Sequence, residues 1–235
     1  MNEVRRRIAG EAWAFRARGE QEATLRFNRL AVAIAAFDPD SPVPALLRQA
    51  AGDEERHAAL CAGLATFYGQ PLEPGRDTPI APANLSPRRA VLYEMVAACC
   101  ITETESVTTL TTLLAETVDP RVKTVLHEIA RDEVTHGRMG WAHLAREAAA
   151  SDVSFLSPFV PGMLAGAAGD RLFAAVDPEL ESKDLPRDGV LPHSTKRAIF
   201  TGTLEGVVFP GLEKFGIDTG PARAWLAATA RHPGP

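Results

Sequence analysis

The sequence predicts an all-α fold: a four-helix bundle with a long crossover between its second and third helices and extra helices near the C-terminal end. Three observations predict it. Ala, Leu, Glu and Arg dominate, aromatic residues make up only 6%, and no segment alternates convincingly as a strand. The first 150 residues contain four long helix-like segments in two pairs, each pair joined by a short turn. The word Asp-Glu-x-x-His occurs once in each pair, as Asp53 to His57 and as Asp132 to His136.

The first segment runs from about Asn2 to Phe37, with Trp13, Leu25, Phe27, Leu30 and Ile34 among its apolar positions, and Asp38-Pro39-Asp40-Ser41-Pro42 ends it. Two prolines so close together cannot lie inside a helix, whereas Ser41 before Pro42 suits a helix start. The second segment then runs to about Tyr68. From Gly69 to Pro87 the chain carries Pro71, Pro74, Pro79, Pro82 and Pro87, and an extended Pro-rich stretch at about 3.1 Å per residue is long enough to cross the bundle from end to end. Ser86 with Pro87 opens the third helix, Val118-Asp119-Pro120 separates it from the fourth, and the fourth continues to about Ala150. Beyond Ser151 prolines interrupt the chain until helical stretches from about Ser194 to Phe215 and Pro221 to Ala230. With few large apolar groups, this tail is expected to pack on the bundle, so residues 1–235 form one domain with a core bundle at 1–150 and an extension at 151–235.

Hydrophobic residues amount to 46%, ample for a sizeable core, and the net charge of −5 is spread over interspersed charges of both signs. Nucleic-acid binding is not expected, because phosphate neutralisation wants a concentrated basic face and Arg5-Arg6-Arg7 is the only basic run. No secretory leader and no membrane span of about 18 apolar residues is evident, so a cytoplasmic location is expected. Cys61, Cys99 and Cys100 form no Cys-x-x-Cys pair and read as small buried hydrophobes in a reducing compartment.

The repeated word carries the chemistry. On a helix, Glu and the His three residues on project from one face about a turn apart, so Glu54 with His57, and Glu133 with His136, each offer a carboxylate oxygen and an imidazole nitrogen to one metal. A dimetal site inside a four-helix bundle needs one further Glu from each of the other two helices. Glu20 lies 34 residues before Glu54 and Glu103 lies 30 before Glu133, separations that suit antiparallel neighbours. Glu22 and Glu105 are rivals, but two residues turn a helix by about 200°, so only one of each pair faces inward. Glu20 and Glu103 are preferred. His127, His143, His193 and His232 have no Glu at ligand spacing and read as surface or satisfied histidines, and Tyr68 and Tyr93 as packing residues.

These residues resemble the ferritin-like diiron carboxylate superfamily of rubrerythrins, reductase small subunits and multicomponent monooxygenases. The likeness is nearest to short bacterial ferritin-like proteins of unassigned function. It rests on Glu20 with Phe27 and Arg29, on Asp53 to His57 followed by Leu60-Cys61, on Cys100-Ile101-Thr102-Glu103-Thr104, and on Asp132 to His136, and it spans roughly residues 10–150. It implies metal ligands Glu20, Glu54, His57, Glu103, Glu133 and His136, with Glu54 and Glu133 as bridges. Asp53 and Asp132 would then bond the ligand histidine of the opposite half, Asp53 to His136 and Asp132 to His57. Arg56 fits the family word, but its counterpart is Thr135, so no shared role is expected at that position.

The expected cofactor is a pair of iron ions, with Mn/Fe or Mn/Mn as variants, since oxygen and nitrogen donors without thiolates suit these metals. The expected activity is that of a non-haem diiron oxidase or oxygenase, acting on dioxygen and a small-molecule substrate and drawing electrons from a ferredoxin or flavin reductase. A homodimer is compatible with this reading. The alternative is a ferroxidase and iron-storage protein or a rubrerythrin-like peroxide reductase, although the chain carries a long tail and no Cys-x-x-Cys rubredoxin module. A purely structural metal site is the third reading.

Overall fold

In a computed structural model, residues 2–169 and 171–231 are described, and among them the chain is helical with no strand. The main helices are α1 (Glu3–Phe37), α2 (Val43–Tyr68), α3 (Pro87–Met95), α4 (Glu103–Glu116), α5 (Pro120–Ala150), α6 (Val160–Ala168), α7 (His193–Thr203), α8 (Phe209–Glu213) and α9 (Gly220–Arg231). No described helix is long and apolar enough to cross a membrane. His232 lies outside the described residues.

Local signals set the ends of the long helices. The Asn2 side chain accepts from Arg5 N at 2.8 Å and caps α1. Ser41 Oγ accepts from Val43 N before α2, and α2 ends where Gly69 turns left-handed and Gly69 N and Gln70 N donate to Thr66 O and Ala65 O. Asp119 Oδ1 accepts from Arg121 N at the start of α5.

The chain divides into two compact units: residues up to 91 with 110–132 and 182–192, and residues 92–109 with 133–181 and 193 onward. The breaks fall inside α3, α4 and α5, the last between Asp132 and Glu133.

In the first unit α1 and α2 pack along their length as an antiparallel pair. Trp13, Phe27, Leu30 and Ile34 of α1 are fully buried, as are Leu47 of α2, Leu113 of α4, and Leu126 and Ile129 of α5. The Pro-rich segment lies against the outside of α1. Gly75 N donates to Gln21 Oε1 at 2.8 Å, and Arg29 pairs with Asp77 at 2.7 Å. Residues 182–192 also belong here: Trp13 Nε1 donates to Asp188 O, Thr117 Oγ1 to Pro186 O and Tyr68 OH to Asp188 Oδ1. Gly189 has φ +77°, and a Cβ there would stand 2.6 Å from Trp13 Cζ2 and 2.7 Å from Val122 Cγ1, so both conformation and space demand glycine.

In the second unit a π-helical turn, Val96–Thr102, joins α3 to α4, and Val96 to Ile101 are all buried. The sequence predicts one unbroken helix here, because a single-residue π insertion leaves no composition signal. A second π turn, Leu204–Val208, likewise interrupts the stretch expected from Ser194 to Phe215, and α6 and this second turn pack against the first. Pro158 and Pro161 predict irregular chain here, whereas the structure has helix α6. Pro161, however, sits in its first turn, where the lost N–H has no helical partner to miss. Edge-to-face contacts of Phe173 with Phe200 and Trp225 join α7 to α9.

Candidate metal centre

Each Asp-Glu-x-x-His word lies within a regular helix, the first in α2 and the second in α5, and the two adopt the same local geometry. His57 Nδ1 is 3.2 Å from Glu54 Oε2, and His136 Nδ1 is 3.2 Å from Glu133 Oε2. These four side chains are 0–2% exposed, and Glu103, at the start of α4, is 7% exposed. Glu20, midway along α1, is half-buried.

Donor atoms of these residues converge in two groups, each closing to within 4.8 Å: Glu20, Glu54, His57 and Glu133, and Glu54, Glu103, Glu133 and His136. All six expected ligands are included, and Glu54 and Glu133 occur in both groups. The rivals have other contacts. Glu22 pairs with Arg18 at 3.9 Å, and Glu105 accepts from Thr109 Oγ1 at 2.7 Å.

Asp132 supports the first group from outside. His57 Nε2 is 3.1 Å from Asp132 Oδ2, and Arg56 and Arg131 donate to the same carboxylate from the solvent side. Burial opposes ionisation of Asp132, but hydrogen bonds from Arg131, His57 and Arg56 outweigh it and hold the carboxyl well below the usual carboxylate range. An ionised Asp132 favours the His57 tautomer with its proton on Nε2, which leaves the Nδ1 lone pair aimed at Glu54 Oε2. Two acceptors facing each other at 3.2 Å repel unless a cation lies between them. Two donors each about 2.1 Å from one ion and nearly at right angles would be about 3 Å apart, so the spacing fits a shared metal. The buried Glu/His groups are therefore compatible with a metal site.

Asp53 accepts from Arg56, which thereby links Asp53 and Asp132. The sequence repeat does not encode the outer contacts of Asp132 with Arg56 and Arg131. Arg131, its immediate neighbour in sequence, has no counterpart before Asp53, where Gly52 stands. Thr135, opposite Arg56 in the repeat, is exposed.

The second unit sets α5 against the π turn. A Cβ on Gly140 would lie 2.3 Å from Cys99 Cβ and 3.0 Å from its backbone carbon, so this glycine admits the chain one turn before Glu103. Cys61, Cys99 and Cys100 are buried and belong to neither group, and burial pushes the Cys100 thiol up. Tyr68 is engaged by Asp188, and Tyr93 packs edge-on against Phe159. Among the other histidines His127 is exposed, His193 lies 2.7 Å from Leu172 O, and His143 is buried one turn before the buried Glu147. A surface cavity of about 510 Å³ beside Glu181, Ser194 and Arg197 includes none of the candidate ligands.

Comparison with family models, with curated proteins and with solved structures gives no match to this chain. The class that fold and site define is thus a helical protein with buried carboxylate and imidazole groups at metal-binding distance.

Proposed function

We propose that the chain is a ferritin-like dinuclear metal protein, a diiron oxidase or oxygenase that uses dioxygen to oxidise or hydroxylate a small substrate. The observation that carries this reading is that the two donor groups have Glu54 and Glu133 in common. Two groups with two carboxylates in common are the arrangement a pair of bridged ions requires, whereas a lone structural ion needs only one group. The Pro-rich segment at 69–86 takes the part of the bundle's crossover.

In this reading Glu20, Glu54, His57, Glu103, Glu133 and His136 would hold the two ions, His57 and His136 each offering one nitrogen and Glu54 and Glu133 being common to both positions. The donor set is hard oxygen with imidazole and no thiolate, which suits iron, with manganese in one or both positions as a variant. A bound ferrous pair supplies electrons and open coordination positions for the reduction of dioxygen. The protein's part is to exclude water and orient the ligands. Burial of five of the six residues keeps bulk water from the centre, and Asp132 fixes the His57 ring with Nδ1 inward. Arg56 and Arg131 keep Asp132 ionised for that purpose. Continued turnover needs an external donor such as a ferredoxin or a flavin reductase.

The test is oxygen consumption by the protein loaded anaerobically with ferrous iron. Rapid uptake after mixing with oxygenated buffer, lost in Glu54→Ala, is expected. Uptake equal to that of free ferrous iron would refute the oxidative reading, and a 24-subunit particle that accumulates iron would move the assignment to storage.

A further inference from the structure

We propose that the cavity between α7 and residues 176–181 binds a zwitterion, an α-amino acid with an apolar side chain, its carboxylate on Arg197 and its ammonium on Glu181. The cavity includes none of the candidate metal ligands, so this site does not depend on the dinuclear reading.

The site is built on one face of α7. Ser194, Arg197, Ala198, Thr201 and Gly202 recur at the three- and four-residue spacing of a helix face, and all five line the cavity. Val176 and Glu181 close it from the preceding segment, and all of these residues belong to the second unit. The volume of about 510 Å³ lies within the range of small-molecule sites. A Cβ on Gly202 would meet nothing within 4 Å, so the missing side chain leaves open space rather than admitting a neighbouring chain.

The charges decide the ligand. Glu181 is held by Ser194, whose N and Oγ donate to its two carboxylate oxygens at 3.0 and 2.6 Å. Arg197 is held by backbone carbonyls: Nε donates to Leu172 O and Nη2 to Ala174 O, both at 3.3 Å. Its Nη2 also lies 3.4 Å from His193 Nε2, and its guanidinium carbon lies 5.7 Å from the centre of the Phe173 ring. None of these partners carries a negative charge. Neither Glu181 nor Arg197 forms an ion pair with a described residue, and Arg197 Nη1 hydrogen-bonds to none of them. A carboxylate and a guanidinium therefore line one cavity without pairing with each other. A ligand of one charge would satisfy one of them and desolvate the other, whereas an α-amino acid presents both signs on one small framework. Its carboxylate takes the charge-assisted bond from Nη1, its ammonium donates to Glu181, and its side chain lies against Val176, Ala198, Thr201 and Gly202. Both charged groups are already anchored, so little side-chain freedom is lost on binding.

The test is calorimetric titration of the 235-residue chain with L-phenylalanine, and with N-acetyl-L-phenylalanine and L-phenylalaninamide, each of which lacks one of the two charges. Phenylalanine should bind at a single site per chain, and each derivative about 10- to 100-fold more weakly, as expected for loss of a hydrogen bond between charged groups. Glu181→Gln, which keeps an acceptor for Ser194, should weaken phenylalanine by a similar factor and leave the N-acetyl derivative unchanged. Gly202→Leu fills the cavity and should abolish binding of all three compounds while circular dichroism stays that of the wild type. The comparison of the three compounds on the wild type needs no variant. No binding of phenylalanine at millimolar concentration, equal affinity for the three compounds, unchanged affinity in Glu181→Gln, or binding that survives in Gly202→Leu overturns the proposal.

Discussion

Asp132 Oδ2 lies 3.1 Å from His57 Nε2, so a carboxylate facing the solvent on one side orients a fully buried imidazole on the other. Removing its charge should loosen the metal position without unfolding the helices. Asp132→Asn is expected to weaken ferrous binding at the His57 position by about 10- to 100-fold, the usual cost of losing such a partner. A competition titration against a ferrous chelator measures it, and unchanged affinity would show that Asp132 has no orienting role.

The same residue sets a pH dependence. The folded-state pKa of Asp132 is depressed, so its contribution to stability is present above the ordinary carboxylate value of about 3.9 and is lost as pH falls through the lower folded value. The metal-free wild type should therefore lose more of its urea midpoint than Asp132→Asn on acidification below about pH 4. Parallel loss in both proteins would count against the three hydrogen bonds as the cause.

Gly140 and Gly137 lie one turn apart on α5 and should respond differently to the same methyl group. At Gly140 the added carbon meets Cys99 Cβ at 2.3 Å, whereas at Gly137 its nearest neighbour is Cys99 O at 3.7 Å. Gly140→Ala should cost about 1–3 kcal/mol by overpacking, and Gly137→Ala should be neutral or slightly stabilising. Urea unfolding of the two variants side by side measures the difference, and equal stabilities would contradict the close approach of α5 to the π turn.

Tyr68 is a buried tyrosine with a structural partner. Its hydroxyl donates to Asp188 at 3.3 Å, and burial, with the nearby Asp188 charge, pushes its pKa up. Tyr68→Phe should lower stability by about 1–3 kcal/mol, because Asp188 loses a donor in a buried setting, while iron uptake and oxygen consumption stay unchanged. Loss of oxygen consumption with intact iron binding would give Tyr68 a redox role instead.

Much of this arrangement is legible in the sequence because helical periodicity is local. The Glu-x-x-His spacing fixes two donors on one face wherever the helix lies, and Pro42, Gly69, Pro87 and Pro120 mark helix ends through their own backbone chemistry. The choice of Glu20 over Glu22 rests on the 100° step of a helix, and Glu20 is the one that joins a donor group. What does not show in the sequence is non-local or a matter of register. The π turn before Glu103 is one extra residue in a hydrophobic run, and nothing in Val96 to Thr102 distinguishes it from α-helix. The docking of Asp188 and Gly189 on Trp13 spans about 175 residues, and no local pattern encodes it. The guanidinium of Arg131 reaches Asp132 from the adjacent position, a contact that charge alone permits without requiring.

The most direct test of the central claim is the iron content of the 235-residue chain after anaerobic loading and removal of unbound metal, for the wild type and for Glu54→Ala and Glu133→Ala. Two irons per chain in the wild type, with losses at both positions when either common carboxylate is removed, is the predicted result. One iron or fewer per wild-type chain, or two that persist in both variants, would contradict it.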